Sequence, residues 1–117
     1  AGADLTDVPE RNWIEVVGEI RTSLDQAVGK WKAGKRTSAT RRAMTTYSVL
    51  YGDSGLRAAV QQRLGEARAE EHDRRINSFI KRLQNEDPGE AAEALLREDA
   101  RAFTDSLEQD ARLLNAP

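Results

Sequence analysis

The chain has no cysteine, one histidine and only six aromatic residues among its 117. Without cysteine there are no disulfides and no thiolate metal sites, and the redox compartment is left undecided. Neither sign of charge dominates: 18 basic residues against 20 acidic ones give a net charge of −2. Acids and bases interleave, so no face is uniformly basic and counterion release offers no drive toward nucleic acid. No apolar run approaches the roughly 20 residues that a membrane span needs. Catalytic equipment is also missing. The single histidine lies in a charged run, no serine sits in a nucleophile elbow, and Gly52-Asp53-Ser54-Gly55 lacks the spacing and lysine of a phosphate loop. These absences argue against an enzyme.

What remains is rich in Ala, Leu, Glu and Arg, side chains that lose little rotamer freedom in a helix. The 38% of hydrophobic residues recur at helical spacing, which argues for a folded chain. Asp7-Val8-Pro9-Glu10 reads as a helix start, with a capping acid, an early proline and a glutamate three residues after the cap. Trp13, Val17, Ile20, Leu24, Val28 and Trp31 then trace one stripe as far as Gly34. Thr37 or Ser38 caps a shorter second helix carrying Ala39, Ala43, Met44, Tyr47, Leu50 and Tyr51, which stops at Gly52–Gly55. Asp87-Pro88-Gly89-Glu90 opens the last helix, with Leu95, Leu96, Phe103, Leu107 and Leu114 along its stripe.

The third segment carries a fault. Leu56, Val60, Leu64 and Ala67 share one face, whereas Ile76, Phe79, Ile80 and Leu83 share another, rotated by roughly 150° at 100° per residue. Arg68 to Arg75 between them is almost wholly charged. A change of packing partner is the favoured explanation, ahead of a stutter, kink or bulge. The expected fold is all-α: one domain of helices at about 8–34, 38–51, 54–85 and 88–115, arranged as an antiparallel up-down-up-down four-helix bundle. A three-helix bundle with a broken second helix is the alternative. The expected core comprises Trp13, Val17, Ile20, Leu24, Trp31, Tyr47, Leu50, Leu64, Phe79, Leu83, Leu96, Phe103 and Leu107.

Two groups invite a functional reading. Glu66, Glu70, Glu71, His72 and Asp73 gather carboxylates around the only imidazole, a donor set suited to iron or another divalent metal. The plainer reading is a solvated face whose acids pair with Arg68, Arg74 and Arg75, since neither paired histidines nor Glu-x-x-His occurs. Tyr47 and Tyr51, one turn apart, suit either a core or a partner or ligand contact near Gly52–Gly55.

The stretch from Ala43 to Val60, with Tyr47, Tyr51, Gly55, Leu56 and Val60 at matching positions, resembles a segment of the extracytoplasmic domain of bacterial FTR1-type iron permeases. Ser48, Gly52 and Arg57 depart from that pattern, and the last two replace acids. The resemblance implies an extracytoplasmic, membrane-tethered helical domain that docks a permease segment or periplasmic partner, or transiently holds metal. A sensor domain of a membrane receptor and a plain partner-binding module are the rival readings. A second copy of the chain is a further candidate partner. The small polar start Ala1-Gly2-Ala3-Asp4 fits signal cleavage, residues added for expression, or excision from a membrane protein equally.

Overall fold

The computed structural model describes residues 12–115, and every regular element among them is helical. The expected cap at Asp7 and the proline at position 9 lie outside the described residues. Helix α1 (Trp13–Lys32) is capped by Asn12, whose side chain accepts a hydrogen bond from the Ile14 backbone N–H. Helix α2 (Arg36–Thr45) starts earlier than Thr37 or Ser38 would place it, with Lys35 as a cap that contributes no side-chain bond. It runs directly into a π-helical segment (Thr46–Asp53) that carries both tyrosines. Gly55, at φ +93°, ends this stretch; the Trp13 ring lies 3.5 Å from where a β-carbon would stand there.

The expected third helix is two. Helix α3 (Leu56–Leu64) and helix α4 (Glu66–Asn85) meet at Gly65, whose φ +103° and ψ 156° are open to glycine almost alone. In one continuous helix Arg57 and Asp73 would stand about 24 Å apart. Instead the Arg57 Nη2 donates to the Asp73 carboxylate at 2.7 Å, so α3 folds back along α4. The rotated stripe thus comes from a chain reversal at Gly65, ahead of the charged run. Helix α5 (Glu90–Asn115) closes the chain.

Side-chain contacts fix the directions of the neighbours. Arg21 reaches Thr104, Asp105 and Glu108, while Arg97 reaches Asp25, so α1 and α5 are antiparallel. Arg68 meets Asp110 and Arg82 meets Asp99, making α4 and α5 antiparallel too. Ser23 and Thr46 share a buried hydroxyl contact of 2.6 Å between α1 and the start of the π-helical segment. At the other end the Glu86 carbonyl, past the last turn of α4, accepts from the Trp31 indole at 3.0 Å and from Arg36 at 2.7 Å.

The core follows most of the predicted stripes. Val17, Ile20, Leu24, Trp31, Phe79, Leu83, Leu96, Phe103 and Leu107 are buried. Trp13, Tyr47, Leu50 and Leu64 are only partly buried at its margin. Leu95 is exposed, although its spacing fits the stripe. Tyr51 and His72 take interior places instead.

Candidate functional site

Along α4 the buried positions are Ala69, His72, Ile76, Phe79, Ile80 and Leu83, an uninterrupted series at three- and four-residue steps. The apparent gap in the apolar pattern is therefore filled by the histidine itself. His72 is fully buried, with Tyr51 and Phe103 edge-on at ring separations of 6.3 and 6.0 Å. Its Nε2 lies 2.6 Å from the Asp110 carboxylate, and that carboxylate also receives the Arg68 guanidinium, Nε at 2.9 Å and Nη2 at 2.9 Å. Arg68 further donates to the Ser106 hydroxyl. Burial pushes the His72 pKa down, and nearby Arg68 pushes the same way, outweighing the opposing pull of Asp110. A neutral His72 donates Nε2–H to Asp110, which leaves Nδ1 as an acceptor. Among the described residues, neither His72 Nδ1 nor the buried Tyr51 hydroxyl has a hydrogen-bond partner. Burial, reinforced by Asp73, raises the Tyr51 phenol above its ordinary value.

The other residues of the proposed metal cluster point elsewhere. Burial would raise the Asp73 pKa, but the Arg57 fork and the Tyr47 hydroxyl outweigh it and hold the carboxyl below its ordinary value. Glu71 lies between Arg75 at 3.1 Å and Arg68 at 3.4 Å, and hydrogen bonding from Arg75 lowers its pKa. Glu66 faces Arg57 at 3.5 Å, and Glu70 is exposed. Glu66, Glu70, Glu71, His72 and Asp73 are thus dispersed over four directions. Among the described residues no three carboxylate or histidine side chains are grouped to hold a metal ion. Tyr47 and Tyr51 do come together, stacked at 6.0 Å on the π-helical segment; Tyr51 faces the interior and Tyr47 lies half-buried beside Asp73.

On the opposite side, α1 and α2 with its π-helical continuation enclose an open groove. One end is lined by Glu15, Glu19 and Asp53 around Val16, Val49 and Leu50. The middle is lined by Gly18, Thr22, Ser23 and Gln26. The far end is lined by Lys30, Arg41 and Arg42. Leu50 and Arg42 border successive stretches, so the three form one trough. None of those three acids or three bases makes an ion pair among the described residues.

The chain matches no protein family, no curated protein and no solved structure. Sequence reasoning missed the Asp110 partnership, because an acid 38 positions away on an arginine-rich helix reads as solubilising charge. The available signal was the position of His72, in step with Ala69, Ile76, Phe79 and Leu83. It missed the groove because pairing between helices cannot be read from one helix at a time.

Proposed function

We propose that this domain is a non-catalytic docking module, an antiparallel four-helix bundle of α1, α2 with its π-helical continuation, α4 and α5, braced by α3. Its α1–α2 groove receives a protein partner. The observation that carries this reading is the pair of unpaired charge clusters at the two ends of that groove. Glu15 and Glu19 are like charges one turn apart, an arrangement that mildly destabilises an isolated helix. Arg41 and Arg42 crowd Lys30 in the same sense. A partner of complementary charge relieves both repulsions, and Val49 and Leu50 offer it apolar contact. Docking is favoured over metal holding because Asp73, Glu71 and Glu66 already face arginines.

In the setting that residues 43–60 suggest, the module stands outside the cytoplasm beside an iron permease, and the groove meets the permease or a periplasmic partner. A photo-crosslinking residue at Thr22, in the groove, tests the docking reading against one at exposed Gln84 on α4. Discrete adducts are expected from position 22 and not from position 84. Equal, diffuse labelling from both positions would end the reading.

A further inference from the structure

We infer that the occupant of the groove is a second copy of this chain, packed antiparallel about a two-fold axis passing near Thr22 and Gln26. The inference rests on the docking reading and names its partner. Glu19 and Lys30 are eleven residues apart on α1, about 16 Å along the helix. That exceeds the Debye length of about 8 Å at physiological ionic strength, so Glu19 and Lys30 scarcely neutralise each other within one molecule. Turning a second copy through 180° sets each acidic end against a basic end, and does so twice in a closed, self-complementary interface. Glu19 then opposes the partner's Lys30, and Thr22 opposes the partner's Gln26. A parallel arrangement would place like charges together.

The glycines of α1 fit the same register. Gly18 and Gly29 lie on its exposed side, and a β-carbon on either would meet nothing within 4 Å. Neither has the positive φ that would require glycine. A mid-helix glycine costs about 1 kcal/mol relative to alanine, and no contact among the described residues explains accepting it twice. The two flank the axis almost equally, so Gly18 opposes the partner's Gly29 and the two α1 helices can approach closely.

Sedimentation equilibrium on the full chain at low and high salt tests the inference. The wild type should dimerise, with the dimer weakening as salt rises. E19K and K30E each place like charges opposite one another at both ends of the interface, and each should weaken association by about tenfold or more. The double variant E19K/K30E should dimerise again, and an equimolar mixture of the two single variants should form a heterodimer. Circular dichroism checks that the variants, changed at exposed Glu19 and half-buried Lys30, keep the helical fold. Single variants that dimerise like the wild type would overturn the inference. So would a wild type that stays monomeric at millimolar concentration. A monomer that still crosslinks from position 22 to a different polypeptide overturns self-association and leaves the docking reading standing; a monomer with no adduct overturns both.

Discussion

Between α4 and α5, and between α1 and α5, charged side chains meet across the helices: Arg68 with Asp110, Arg82 with Asp99, Arg21 with Asp105 and Glu108. Along the α1–α2 groove, Glu15, Glu19 and Asp53 face Lys30, Arg41 and Arg42 from opposite ends with no such meetings. The first region uses charge to fix which helices neighbour which. The second leaves charge unmatched at the surface. Since both draw on the same residue types, composition does not tell them apart; only the placement of complementary partners does.

The largest effect is expected where the paired region is opened. Asp110 is nearly inaccessible and serves two donors, so Asp110→Ala strands the buried His72 N–H and half of the Arg68 fork. Breaking a buried pair costs about 3–5 kcal/mol, but Arg68 is 29% exposed and can turn toward water. A loss of about 2–3 kcal/mol in urea unfolding at neutral pH is therefore expected. A loss below about half a kcal/mol would put Asp110 with the surface acids. The corresponding change in the groove, Glu15→Gln, should leave stability almost untouched.

A smaller effect separates the regions by pH. The folded-state pKa of His72 is lowered, so protons bind the unfolded chain more readily. Its contribution is complete above the unfolded value of about 6.5 and is lost as pH falls through the folded value. Stability should therefore decline on acidification from neutrality, before the lowered carboxyls Asp73 and Glu71 begin to titrate. His72→Gln keeps a neutral donor facing Asp110 and should flatten that first decline in thermal melts recorded against pH. An unchanged profile would remove His72 as its origin. The smallest effect is a gain: Gly18→Ala should raise monomer stability by about 0.5–1 kcal/mol, since its β-carbon meets nothing. Measured beside self-association, it also sharpens the contrast, because the same methyl should weaken the proposed dimer.

The stripes of α1 and α5 were legible because their buried residues repeat at helical spacing with few interruptions. Three features were not. Gly65 lies inside a run of good helix formers, and a glycine there reads as a tolerated weakness; only its backbone angles reveal a reversal. The π-helical turn at Thr46–Asp53 has no residue pattern of its own, and its tyrosines kept the spacing of an ordinary helix. His72, flanked by acids, reads as surface because its compensating partners lie on another helix. Of the candidate site, residue types were visible and directions were not. The five residues read as one cluster belong to one sequence segment, yet they radiate from α4 toward different neighbours.

The two indoles of α1 give the molecule an optical readout at each end. Trp31 is buried, with its N–H on the Glu86 carbonyl, so its emission reports whether the α4–α5 connection stays seated. Trp13 lies over Gly55, where the π-helical segment hands over to α3, and reports on that turn. Replacing either indole by phenylalanine leaves a single tryptophan, which can be excited apart from the two tyrosines. Selective quenching would then follow, without any added label, which end of the protein opens first as it unfolds and which is shielded when a partner binds.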